Sequence, residues 1–172
     1  MYRYIAKSSG DQRAAPSQAF LDVTVTGQPP RQIRVMLDDG IEQVAALDPL
    51  EYELTASNLS PALQEVGIRL RMDTPVGAHG MQYQCIAADN GAVCPDGGLI
   101  QSPLDVDLVL PSASQVRYRV TAQVDDPPPF YVEAIALAQL LGDGEVNDDP
   151  DALIAIDVNL RADGMVFSNG FE

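Results

Sequence analysis

Histidine and lysine are nearly missing from these 172 residues. Each occurs once, at His79 and Lys7, so nine of the ten cationic side chains are arginines. A single histidine leaves a Ser-His-Asp or Cys-His arrangement with one available base, and no nucleophile motif surrounds any serine. His79 sits between Ala78 and Gly80 and reads as a surface loop residue. Positive charge is scarce as well, 10 Lys and Arg against 25 Asp and Glu, a net −15. That balance denies the chain a general polyphosphate-binding surface, and nucleic acid is not expected as a partner. No apolar run approaches the ~20 residues of a transmembrane segment. No glycine-rich phosphate loop is present. Asp73-Thr74-Pro75 lacks the glycine and the second copy that paired-aspartate catalysis needs.

Thirteen glycines and thirteen prolines, spread singly between short apolar runs, exclude long helices and suit many short strands. Period-two alternation picks out about eight of them. Eight run over Phe20 to Thr26, Gln32 to Leu37, Leu50 to Ser57, Val66 to Met72, Leu104 to Leu110, Val116 to Ala122, Phe130 to Leu140 and Ala152 to Leu160, and the cysteine hairpin lies between the fourth and the fifth. The run from Phe130 to Leu140 is apolar on both faces. Its alanines and leucines also allow a short helix, but Pro127-Pro128-Pro129 and Gly142-Asp143-Gly144 bound it as a strand is bounded. The expected fold class is all-β, an immunoglobulin-like antiparallel β-sandwich of about seven to nine strands. A barrel is the alternative.

The only two cysteines, Cys85 and Cys94, flank Asp89-Asn90-Gly91. Asn-Gly favours a tight turn with positive φ, which would set the two on adjacent antiparallel strands within bonding reach. Closing so short a loop is worth roughly 2.5 kcal/mol on the chain-entropy model. Such a bond persists in an oxidising compartment, so an extracellular, cell-surface or periplasmic location is expected. Met1 to Gly10 has no apolar signal core. The expectation is therefore a piece of a longer exported protein, or one whose signal has been removed.

From about Asp48 to Leu160 the order of features resembles the bacterial cell-surface repeat family called domain of unknown function 11. Leu50 to Asn58 is similar to its aromatic-containing strand ending in Asn. Val66 to Gly77 resembles its strand and Asp-x-x-Pro-like turn, here one residue short. Cys85 to Pro95 resembles its cysteine hairpin, and Leu110-Pro111 with Val116 to Val124 the strand after its proline turn. Asn147-Asp148 stands where the family often has Asn-Asn. The resemblance implies a repeated immunoglobulin-like module of exported proteins with no assigned catalytic role. Met165 to Glu172 resembles an Ile-Phe-x-Asp-Gly-Phe-Glu terminus of exported proteins in some Gram-negative bacteria, with Asn169 in place of Asp. It reads either as a sorting tag or as a tail packed on the sandwich edge.

Two clusters carry the remaining site expectations. Asp143, Glu145, Asn147, Asp148, Asp149 and Asp151 gather hard oxygen donors of the kind calcium takes, although in an order that departs from an EF-hand loop. Arg69 and Arg71 share one strand face and Arg117 and Arg119 another. In an immunoglobulin-like strand order the two strands would be neighbours, giving an arginine stripe for an anionic partner, with Glu51, Glu53, Asp105 and Asp107 on the opposite sheet. The alternative is an ordinary solvated face with local ion pairs.

The organisation expected is residues 1–27 as an extension or the closing strand of a preceding repeat, 28–162 as the sandwich, and 163–172 as a tail. The functional expectation is a non-enzymatic spacer or adhesion element without a cofactor, in contact with neighbouring repeats, other surface proteins or a glycan. The alternative is a carbohydrate- or calcium-binding module.

Overall fold

The structure is a computed structural model that describes residues 30–60, 64–95 and 98–162, with the backbone of β1 (Arg3–Ile5) and β2 (Phe20–Asp22). Those two pair antiparallel in a ladder of their own. The rest of the 1–27 extension and the 163–172 tail lie outside the described residues.

Nine further strands form an immunoglobulin-like sandwich. They are β3 (Ile33–Asp38), β4 (Gln43–Val44), β5 (Pro49–Asn58), β6 (Val66–Met72), β7 (Ala78–Ala88), β8 (Leu104–Leu110), β9 (Gln115–Val124), β10 (Tyr131–Leu140) and β11 (Ile154–Arg161). One sheet has the order β3-β5-β9-β7, the other β4-β11-β10-β6-β8. The ladders are antiparallel except where β4 joins β11 in parallel. A short 3-10 turn, Pro150–Leu153, leads into β11, with Asp149 as its cap. Among the described residues no helix is long and apolar enough to cross a membrane.

Alternation fixes which residues meet in the core. Tyr52, Leu54 and Ala56 of β5 and Val116, Tyr118 and Val120 of β9 face Val66, Ile68, Leu70 and Met72 of β6 and Leu104 to Leu110 of β8. β10 lies at the centre of its sheet, a strand as its flanking prolines and glycines indicate, and turns Val132, Ala134, Ala136 and Ala138 inward. Those small side chains leave room for the large tyrosines of the other sheet.

Every connection from β3 to β10 crosses between the sheets. Two expectations fall to this. Cys85 and Cys94 do bond, with Cα atoms 5.7 Å apart, but Cys94 lies in a loop and not on a partner strand. The turn itself forms, with Asn90 at φ 48° and Gly91 at φ 88° and Ala92 N–H donating to Asp89 O at 2.9 Å. The chain after it heads for the other sheet, joined to β7 by the disulfide and by a bridge between Ile100 and Tyr83.

Crossing connections also separate the arginines. β6 pairs with β8 and β10, β9 with β5 and β7, so Arg69 and Arg71 lie on one outer face and Arg117 and Arg119 on the opposite one. There is no single stripe.

Candidate functional site

Each arginine pair has carboxylates as cross-strand neighbours, so the acids expected on the opposite sheet stand beside the bases. Arg69 grips Asp107 with two hydrogen bonds, 2.8 and 3.2 Å, and Arg71 reaches Asp105 at 3.3 Å. Arg119 meets Glu51 at 3.0 Å and Arg117 meets Glu53 at 3.6 Å. Asp107 holds the Arg69 guanidinium still more firmly protonated than usual. Both faces are charge-balanced ladders, and pairs this exposed contribute little to stability.

Three residues of the acidic segment after β10, Glu145, Asn147 and Asp149, hold the fold together. Glu145 is salt-bridged to the nearly buried Arg31. Asn147 hydrogen-bonds the backbone of Ile33 on both sides, and Asp149 accepts from Asp151 N–H. His79 lies at the start of β7, not in a loop. Its Nδ1 is 2.7 Å from Asp125 and both side chains are about half exposed.

A site that alternation did not reveal lies between the sheets where β3 ends. β11 is turned inside out: Ile154, Ile156, Val158 and Leu160 face solvent, while Asp157 and the fully buried Asn159 face the opposite sheet. There they meet Asp39, which follows β3, and the buried Tyr52 of β5. Asp39 N–H donates to Asp157 Oδ2 at 3.0 Å, and Asn159 Nδ2 donates to Asp39 Oδ2 at 2.6 Å. Asp38 and Asp39 also accept from the Gly40 and Ile41 N–H groups. Asp38, Asp39 and Asp157 each bring a carboxylate oxygen within 4.8 Å of the others, the one such acidic group among the described residues.

The cluster is electrostatically incomplete. Asn159 Oδ1 is buried with no hydrogen-bond partner, and the Tyr52 hydroxyl, beside Asn159, completes no bond of good geometry. Burial and then the nearby Asp39 and Asp157 carboxylates push the Tyr52 phenol well above its ordinary pKa. Asp157 is held above the ordinary carboxylate value, first by desolvation, then by Asp39 and Asp38, against the N–H groups it accepts. A cleft of about 170 Å³ opens beside Asp38, Asp39 and Tyr52, bordered by Glu51, Glu53 and Arg119. The signal available in the sequence was the polar pair Asp157 and Asn159 sharing a face with Ala155 in an otherwise apolar strand.

The outward residues of β10 and β11 form an apolar face. Cross-strand pairs Leu137 with Ile154, Ile135 with Ile156 and Tyr131 with Leu160 are exposed on it, and Val158 lies opposite Glu133. Beside them runs a groove of about 370 Å³ lined by Arg71, Asp73, Val76, Glu133, Ile135 and Leu137.

No family model matches this chain, and no curated protein matches it, so the likeness to domain of unknown function 11 stays a resemblance. Solved structures with a similar outline include the CARDB domain of the PF1109 protein from Pyrococcus furiosus, in complex with di-metal ions. It shares 14% identity over 82% of this chain and 99% of that one, with a TM-score of 0.44. The Actinomyces fimbrial adhesin FimA shares 7% over 76% of this chain and 55% of that one, TM-score 0.43. The pilus backbone protein RrgB of Streptococcus pneumoniae shares 14% over 65% and 31%, TM-score 0.38. At these values the likenesses carry nothing about what this chain binds or does.

Proposed function

We propose that the chain is a non-enzymatic, exported module that works as a structural spacer. The carrying observation is the position of its two ends. The sandwich is entered at Arg31, which bonds Val146 and Asp148 beside the starts of β3 and β11. It is left at Ala162, which bonds Val44 beside the end of β11 and the start of β10. Entry and exit are therefore at opposite poles, so the strands lie along the line between whatever is attached at each end. The Cys85 to Cys94 bond supports the exported setting, because it needs an oxidising compartment.

An adhesive role beside spacing is favoured by the apolar face of β10 and β11 and by the stapled loop, which exposes Val93 and Leu99. Contiguous exposed apolar surface marks interaction sites more often than chance.

The test has two parts. Protein taken from its native host and alkylated without reductant should carry no label on Cys85 or Cys94; labelling of both removes the exported setting. Stretched between handles attached on either side of residues 30–162, the sandwich should resist and then rupture as one unit. Piecemeal extension at negligible force would overturn the spacer reading.

A further inference from the structure

We propose that Asp38, Asp39 and Asp157, with Asn159 Oδ1 and the Tyr52 hydroxyl, form a calcium site that ties the end of β3 to β11 across the sandwich. The inference stands apart from the spacer reading and can fail without touching it.

Three observations converge on one ion. The carboxylate oxygens lie within 4.8 Å of one another. Oxygens that share one calcium ion, at about 2.4 Å each, are at most about 4.8 Å apart, so the spacing of the three falls within the span of a single ion. Next, Asn159 is fully buried, its carboxamide already touches Asp39, and its Oδ1 has no partner. A buried oxygen without a donor destabilises the fold, and a cation would satisfy it. Third, the fully buried Tyr52 brings its hydroxyl oxygen, which lies against Asn159 and near Asp39 and Asp157, to the same place. The positive group bordering the adjoining cleft, Arg119, is engaged by Glu51. Three carboxylates and two neutral oxygens, completed by water through the cleft, make the oxygen-only set that calcium takes.

The full chain is titrated with calcium while its thermal unfolding is followed, and separately with terbium, a calcium substitute whose emission a nearby tyrosine sensitises. The expected result is a saturable rise in melting temperature at about 0.1–1 mM calcium, and terbium emission on tyrosine excitation. Asp39→Asn and Asp157→Asn should each weaken binding by about tenfold or more. The pair Asp143→Asn with Asp149→Asn should leave it unchanged. Tyr52→Phe removes one neutral ligand and no charge, so it should weaken the calcium response less than either Asn variant does while losing most of the sensitised emission. The proposal is overturned if nothing saturates up to about 10 mM calcium. It is equally overturned if the response survives both cluster variants or follows the Asp143 and Asp149 pair. Where an Asn variant does not fold, as far-UV circular dichroism will show, the emission of Tyr52→Phe decides: undiminished, it places the ion elsewhere.

Discussion

The carboxamide of Asn147 pairs with the backbone of Ile33 as a neighbouring strand would: Oδ1 accepts from Ile33 N–H at 2.8 Å and Nδ2 donates to Ile33 O at 2.9 Å. β3 thereby gains one rung beyond its ladder with β5, and the loop after β10 is fastened to the opposite sheet. Asn147→Ala should lower stability by about 1–3 kcal/mol, since both backbone groups lose their partner. Asn147→Asp should destabilise comparably, because it sets a carboxylate against Ile33 O. Chemical denaturation of the three proteins checks both.

Next to this clamp, Arg31 and Glu145 pair where both side chains are only about a tenth exposed, 10% and 12%. Removing one partner strands a charge there, so Arg31→Met should be worth a loss of about 3–5 kcal/mol. Adding Glu145→Leu should recover most of it, because an apolar pair needs no counter-ion. A double-mutant cycle by urea unfolding reads the coupling directly.

Cys85→Ser with Cys94→Ser should cost roughly 2.5 kcal/mol, the entropy of closing a loop with a sequence separation of 9. The sandwich should keep its far-UV circular dichroism, since both β7 and β9 hold their register without that loop. A melting curve with and without reductant gives the same comparison on the unaltered chain.

Gly77 has φ +84° between β6 and β7, and a Cβ there would run into Pro129 Cγ and come within 3.2 Å of Tyr131 O. Gly77→Ala should therefore cost about 2–4 kcal/mol, backbone strain and overpacking together. Gly80→Ala separates the two, for Gly80 has φ +67° with open space around it. It should cost about 1–2 kcal/mol from strain alone. Thermal unfolding of both variants decides.

Face assignments were legible because period-two patterning needs only one strand at a time: Val66, Ile68, Leu70 and Met72 all point inward as read. Strand neighbours were not, since alternation does not say which sheet a strand joins. Arg69 and Arg117 were thus expected side by side and lie on opposite faces. For the same reason Cys94 was expected on a strand. Asp157 and Asn159 went unnoticed because β11 buries its polar face, a reversal of the rule by which the other strands are read. Asp38, Asp39 and Asp157 are 118 or more residues apart in sequence across the two segments, so only the crossing topology brings them together.

That reversal has a pH signature. The folded-state pKa of Asp157 is raised above its ordinary value, chiefly by desolvation and then by Asp39 and Asp38. The folded protein consequently takes up this proton at a higher pH than the unfolded chain does. Above the raised pKa the ionised group opposes folding by a constant amount. As pH falls through that value toward the unfolded one near 4, protonation relieves the opposition, and this group's contribution moves in favour of the native state. Asp157→Asn removes the charge while keeping an oxygen to accept from Asp39 N–H. In calcium-free buffer it should be more stable than the wild type at neutral pH, with the advantage shrinking steadily below the raised pKa. Taking the difference between the two proteins at each pH cancels the acid response of the other carboxylates. An advantage that stayed constant from neutral pH down to about pH 4 would show that Asp157 titrates alike in the folded and unfolded chain. The burial and the neighbouring charges at the end of β3 would then have no effect on it.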